Sequence, residues 1–322
     1  FDDQDVIVID TTGILALRYF GNIFSVSAEN VLVLNSQSTT TQFPLLPADA
    51  TTLALGGNVN VGPIAYDVPL DLSTFTSVPE IESITFKGGT LDLTVNPAFT
   101  YPTTVSLTIP GLIPSGTMTV TNGGTFSLPL AGKTLDLTQG AQGFNDIRAI
   151  MSASISGSSG TGAPLDPMNV TVAINNPQFS LILGDIKQQS FGVPASEVRI
   201  RFFENQQDGT ITWADPRVKA RFNNGVGADV QLNVPQLDFN SVINGSLPLT
   251  GVLSTSPTIG HNATIGGNQE TVFDLNRTNS NIVPVAALSP TKLFYTVNAL
   301  TNPLGGSNVN WFQDTSKIGL DM

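Results

Sequence analysis

Apolar and polar side chains alternate residue by residue along most of this chain, and no other feature constrains its fold as tightly. The pattern is clear in Val6–Ile9, Ser83–Phe86, Thr90–Val95, Thr104–Ile109, Asn169–Ile174, Ala228–Val234 and Lys292–Val297. A period of two sends successive side chains to opposite faces of a strand, so each segment reads as a half-buried strand. Turn chemistry separates the segments: "NGG" at Asn122, "QDG" at Gln207, "NNG" at Asn223, "NG" at Asn244 and "GG" at Gly266. With 30 glycines and 21 prolines there is little room for long helices. The expected fold is all-β: antiparallel β-sandwich modules, up to two of them, with very little helix. Strands should hold more than about a third of the residues and helices fewer than about a tenth.

Two short helices are expected. Asn145–Met151 could be capped by Asn145 or Asp146, unless the following strand absorbs it. Ile282–Leu288 could be capped by Asn281, with Pro284 in its first turn. Two likenesses hint at duplication. "TLDLTVNPAF" (Thr90–Phe99) resembles "VTVAINNPQF" (Val170–Phe179), and "FSLPLAG" (Phe126–Gly132) resembles "GSLPLTG" (Gly245–Gly251). The expected organisation is an N-terminal β segment over 1–69, a sandwich module over 70–155 and a second over 156–322. Ser154–Pro167 reads as a linker or long loop and Asn35–Thr52 as a low-complexity connection. The chain begins without a Met or a leader pattern and ends inside an alternating run, so it is expected to be trimmed at the start and to continue past Met322.

Apolar residues make up 40% of the 322, enough for a core, while charged residues are only 12%. That is about half the usual share, so Thr, Ser, Asn, Gln and Gly must supply the polar surface. The net charge of −12 disfavours a nucleic-acid partner. No run approaches the ~18 apolar residues of a membrane-spanning helix. The absence of cysteine removes disulfides, thiolate metal sites and a Cys nucleophile together.

Catalytic constellations are scarce. The single histidine, His261, lies in a polar, Gly-flanked segment, and no Gly-x-Ser-x-Gly accompanies it. One histidine without cysteine leaves no two-histidine zinc site. Of the six glutamates, Glu80 and Glu82 share a face but stand too close to flank a sugar ring. The expectation is no enzyme, no cofactor and no essential metal. Calcium is the one cation whose oxygen ligands are at hand, in Asp274, Asn276, Asn279 and Asn281 or in Asp2, Asp3 and Asp5; loop capping explains both groups without it.

One stretch stands out. "SEVRIRFFENQQDGTITWADPRVKARFNN" (Ser196–Asn224) holds five of the thirteen basic residues: Arg199, Arg201, Arg217, Lys219 and Arg221. Alternation predicts a hairpin turning at Gln207–Gly209. Val198, Ile200, Phe202, Val218 and Phe222 would be buried, and the five cations would gather on the outer face as an interaction patch. The competing expectation is ordinary cross-strand pairing with nearby acids on a solvated sheet.

"INNPQFSLILGDIKQQSF", the basic stretch itself and "NSNIVPVAALSPTKLFYTVNALTNP" resemble, in the same order, blocks of β-rich secreted or outer-envelope surface proteins of Bacteroidota. The likeness covers about residues 80–322. It implies secretion and an all-β fold, and because that family carries no established activity it assigns no site residues. The function expected is therefore a structural, adhesive or assembly role at the cell surface or outer membrane, with other envelope proteins or copies of itself as partners, or a glycan or lipid. A carrier of lipid or another amphipathic ligand is the alternative, since Gly111–Val120 and Ile282–Leu288 look apolar on both faces. A coat or filament subunit is the third.

Overall fold

Alternation becomes a two-sided pattern of burial in the computed structural model, which describes residues 6–9, 15–18, 20–43, 45–97, 99–160, 167–204, 211–305 and 309–322. The protein is 54% strand and 8% helix, within the expected bounds. In chain order the first elements are β1 (Val6–Ile9), β2 (Leu15–Arg18), β3 (Asn22–Ser27), α1 (Ala28–Val31), β4 (Gln37–Phe43), α2 (Pro47–Ala54), β5 (Asn58–Pro69) and β6 (Glu80–Asn96). Then come β7 (Thr103–Thr108), β8 (Leu112–Ile113), β9 (Thr117–Thr121), β10 (Gly124–Pro129), β11 (Thr134–Asp136), β12 (Asp146–Ser156) and β13 (Met168–Asp185). The rest are β14 (Ser190–Arg199), β15 (Val218–Asn224), β16 (Val230–Ser241), β17 (Gly245–Pro248), β18 (Thr258–Ile259), β19 (Gln269–Leu275), α3 (Ile282–Ala287), β20 (Lys292–Thr301), β21 (Asn310–Gln313) and β22 (Lys317–Asp321). Short 3-10 turns occupy Arg201–Phe203 and Val252–Thr255.

The chain forms two compact units, one over Leu32–Ile186 and one over Phe1–Val31 with Lys187–Met322. In the Leu32–Ile186 unit, one sheet runs β4-β13-β6, with β10 and β11 both paired to β6 and β8 paired to β11. The other sheet runs β5-β12-β7-β9, and every pairing is antiparallel. Leu91, Leu93 and Val95 of β6, Val105 and Leu107 of β7, and Ala149, Met151 and Ile155 of β12 are buried. Each fully buried Leu or Ile contributes roughly 1.5–3 kcal/mol. In the other unit, one sheet runs β14-β20-β16 with β17 and β18 both on β16, and the second runs β19-β15-β22-β3; β1 and β2 form a hairpin. Leu237 and Phe239, Leu293 and Tyr295, Ala220 and Phe222, and Ile318 and Leu320 supply its core. The buried Tyr295 hydroxyl donates to the Ile23 carbonyl, linking β20 to β3.

The boundaries expected at 69/70 and 155/156 both fall inside the Leu32–Ile186 unit. Strand pairing crosses them: β5 pairs with β12, and β6 with β13. Ser154–Pro167 is correspondingly a connection between two strands of one unit, and residues 161–166 of it lie outside the described residues. Asn35–Thr52 holds β4 and most of α2 rather than a bare connection.

The two units share a plan. Seven strands of one, β4, β5, β6, β10, β11, β12 and β13, match in order β14, β15, β16, β17, β18, β19 and β20 of the other. Five pairings recur: β4–β13 as β14–β20, β13–β6 as β20–β16, β6–β10 as β16–β17, β6–β11 as β16–β18, and β5–β12 as β15–β19. The Ser-Leu-Pro-Leu-x-Gly stretches occupy the same place in each. The Leu130 amide donates to the Gly89 carbonyl and the Leu249 amide to the Leu237 carbonyl, and both leucines are buried. The proline just before has no N–H to offer a further ladder bond. Gly132 (φ 75°) and Gly251 (φ 141°) then take left-handed backbone, which turns the chain away. The Asn-Pro likeness is of another kind: Thr90–Asn96 and Asn169–Asn175 are direct antiparallel partners within one sheet.

The two helix expectations part ways. Ile282–Ala287 is helical, with Pro284 in its first turn, but Asn281 does not cap it through its side chain. That amide bridges the Thr250 N–H and the Pro248 carbonyl instead. Asn145–Met151 is not a helix, because β12 begins at Asp146 and pairs with both β5 and β7.

Candidate functional site

The basic stretch does not form a hairpin. Val198 and Arg199 end β14, which pairs with β20, while Val218–Asn224 forms β15, which pairs with β19 and β22 in the other sheet. Between them the chain leaves the strand at Arg201–Phe203 in a 3-10 turn. Consecutive phenylalanines cannot both face inward along a strand. The turn buries Phe203 and leaves Phe202 39% exposed, each ring within about 6 Å of the other or of Trp213 (4.9, 5.9 and 6.2 Å between centroids). Val198 and Phe222 are buried as alternation predicts, but Ile200 and Val218 are only half-buried. The Gln207–Gly209 turn lies outside the described residues.

The five cations therefore make no common patch, and nearby acids hold most of them. Arg199 lies 4.0 Å from Glu204, Arg221 3.9 Å from Glu270, and Arg217 2.8 Å from Asp215 and 3.5 Å from Asp274. The hydrogen bond and charge of Asp215, with Asp274 behind them, raise the Arg217 pKa further. Lys219 stands opposite Asp274 in the β15–β19 register, and Arg201 is exposed. Exposed pairs of this kind add little stability. Arg199–Glu204 and Arg217–Asp215 are local pairs, whereas Arg221–Glu270 and Arg217–Asp274 reach across to β19.

Other candidates resolve similarly. His261 Nδ1 sits 2.7 Å from Asp229 on the surface. In the "DLNRTNSN" loop, Asn276 Oδ1 accepts from Thr278 N and Oγ1, Asn279 Oδ1 from Asn276 N, and Asn281 Oδ1 from Thr250 N. Asp274 Oδ2 faces Arg217. These amide oxygens cap the loop, while the buried Asp274 Oδ1 has no hydrogen-bond partner; Asp2, Asp3 and Asp5 lie outside the described residues. Of the segments expected to wall a lipid groove, Leu112, Met118, Val120, Ile282 and Val285 are buried, while Ile113 and Val283 are exposed. The narrow space beside Ile84 and Phe86 measures about 10 Å³, room for one water at most.

Hydroxyl groups line two outer sheet faces. Thr104, Ser106 and Thr108 of β7 stand opposite Thr121, Thr119 and Thr117 of β9. On the other sheet of that unit, Thr40 and Thr171 Oγ1 atoms lie 2.8 Å apart and Thr94 and Thr125 2.9 Å apart.

Two open concavities lie in the unit that contains β14–β22. One, of about 400 Å³, rests on β14, β20 and β16, where Gly192, Asn298 and Asn233 form one cross-strand row and Ser190, Leu300 and Gln231 the next. The other, of about 410 Å³, rests on β15, β22 and β3. Its floor is Gly319, between Ser25 and Asn223 in register, and Asp321 lies opposite Asn22. Asn22 Nδ2 donates to Asp321 Oδ1 at 2.8 Å, Asn223 Nδ2 to Asp321 Oδ2 at 3.4 Å, and Asn268 Nδ2 to Asn223 Oδ1 at 3.3 Å. Sequence reasoning missed this site entirely. Its one local signal was a glycine inside the strand pattern "SKIGLDM".

No protein-family model matches the chain. No curated protein matches it either. Among solved structures, a protein of Parabacteroides distasonis provisionally described as secreted is similar at a TM-score of 0.29 and 11% identity, over 92% of this chain and 95% of that one. A likeness at that level carries no argument about fold or function. No helix among the described residues is long and apolar enough to cross a membrane.

Proposed function

We propose that this is a non-catalytic β-protein of the bacterial cell surface or outer envelope, with a structural, adhesive or assembly role. The observation that carries this reading is a seven-strand plan used twice, with outer sheet faces lined by hydroxyls in the Leu32–Ile186 unit. Covering an exposed hydroxyl with a hydrogen-bonding partner costs little, whereas covering an unpaired charge costs far more. Such faces suit lasting contact with other envelope proteins, with copies of the same chain or with glycans. The non-catalytic part is supported by the use of Glu197, Glu204 and Glu270 in surface ion pairs. The net charge of −12 weighs against nucleic acid.

Fractionation of native cells, followed by protease treatment of intact cells, tests the proposal. The protein should be found in the envelope or medium and be cut from outside. Recovery only as a soluble monomer inside the cell defeats it.

A further inference from the structure

We propose that the crevice on β15, β22 and β3 binds an uncharged sugar unit of a surface glycan; this rests on the surface reading above and names the ligand class for one site. Four observations converge. The first is Gly319. A glycine inside a strand weakens it and marks close approach by a ligand or another backbone. No positive φ requires glycine here, but an added Cβ would meet the Phe24 carbonyl closely, at 3.2 Å, and Ser25 Cα and Cβ at 3.9 Å. With no side chain at this buried position, the backbone of β22 itself lines the crevice. By contrast, Gly266 (φ 77°) needs its conformation, and a Cβ on Gly267 would collide with Asn262 at 2.5 Å.

The second is the fixed polar rim. The chain of bonds from Asn22 through Asp321 and Asn223 to Asn268 orients three amides around one carboxylate. Groups already held in place lose little entropy when a ligand arrives. Neighbouring sugar hydroxyls each donate and accept, and the amide-carboxylate array offers both roles.

The third is charge. Asp321 and Lys317 are the only ionisable side chains lining the crevice among the described residues, and they are of opposite sign. A charged ligand would gain no net attraction, and an apolar one would strand the amides unpaired. The fourth is size: about 410 Å³ falls within the ordinary range for small-ligand sites, about 300–1,000 Å³. The crevice is open and has no aromatic residue to stack on a ring, so a single site should bind weakly, with a dissociation constant of about 1 mM. Repeated sugar units on a surface would then raise the avidity.

The test is titration of the full chain with maltose, lactose, chitobiose and mannobiose, followed by amide resonances in two-dimensional NMR, with a heparin disaccharide as the anionic comparison. At least one neutral sugar should shift Asn223, Asn268, Gly319 and Asp321 saturably. Gly319→Val should weaken that binding at least about tenfold, and Asn268→Ala, on an exposed loop, by about threefold to tenfold, the worth of one or two hydrogen bonds. The loop variant keeps the test decisive if the valine disturbs the strand. The inference is overturned if no neutral sugar shifts these residues, if both variants bind as the wild type does, or if the heparin fragment binds there more tightly. Its fate is separate from that of the surface reading. An envelope protein without sugar shifts sinks this inference alone, and saturable binding by a protein confined inside the cell sinks the surface reading alone.

Discussion

Asn145 takes a left-handed backbone (φ 61°) just before β12, and its side chain plugs the turn. Its Oδ1 accepts from the Ile81 N–H at 2.8 Å, its Nδ2 donates to the Pro79 carbonyl at 2.7 Å, and its backbone bonds both Ile81 and Leu70. Alanine there loses both side-chain bonds and tolerates the backbone badly, so Asn145→Ala should cost about 2–4 kcal/mol in urea unfolding. An unchanged midpoint would refute the plug. Asp136 makes a smaller, pH-dependent contribution. Partial desolvation works to raise its pKa, but hydrogen bonds from the Thr138 side chain and N–H and from Gln139 prevail and lower it. A carboxyl whose folded pKa lies below the unfolded value of about 3.9 stabilises the fold above that value. The contribution is lost as pH falls through the lower folded pKa. Asp136→Asn should therefore be less stable than wild type by about 0.5–1 kcal/mol at pH 7, discounted for exposure, and the gap should close in acid. A gap that widens below pH 4 would reverse the sign of this account.

β15 shows what a strand's two faces are worth. Phe222 is fully buried and touches Phe273 ring to ring at 5.7 Å, so Phe222→Asp removes a core side chain and buries an unpaired carboxylate. The loss should exceed about 4 kcal/mol and unfold the sheet, seen as lost strand signal in circular dichroism. Arg199→Ser combined with Lys219→Ser should stay within about 1 kcal/mol of wild type, since both cations are exposed and lie on different sheets. A large loss from the double variant would show that these surface pairs are worth far more than exposed ion pairs. Alternation in the sequence showed which side of the central strands is buried, as at Val198 and Phe222, but not at β10 or β17, which bury no residue. It could not tell partners: Glu197 meets Lys292, 95 residues on, rather than anything on β15. The consecutive Phe202 and Phe203 broke the period and ended β14 early. The crevice was hidden for the same reason, because Asn22, Asn223, Asn268 and Asp321 are each ordinary strand or turn residues until pairing assembles them.

Over the whole molecule, the repeated plan is housed in two different ways. The Leu32–Ile186 unit is one continuous stretch of chain with a buried core of its own. Expressed alone, residues 32–186 should give a β-type circular dichroism spectrum and a cooperative urea transition; a molten, non-cooperative product would count against its independence. The other unit is assembled from separated pieces. Asn22 on β3 bonds Asp321 on β22 across 299 positions of sequence, and Gly21 and Met322 exchange backbone bonds at 2.8 and 2.9 Å. Timing follows from that pairing. On a ribosome, which adds about 5–20 residues per second, the strand at 22–27 must remain without its β22 neighbour until 317–321 follow, many seconds later. All of 32–186 passes in between. Residues 317–321 therefore complete the sheet for 22–27, and amides 22–27 should gain protection from hydrogen exchange only once 317–321 are in place.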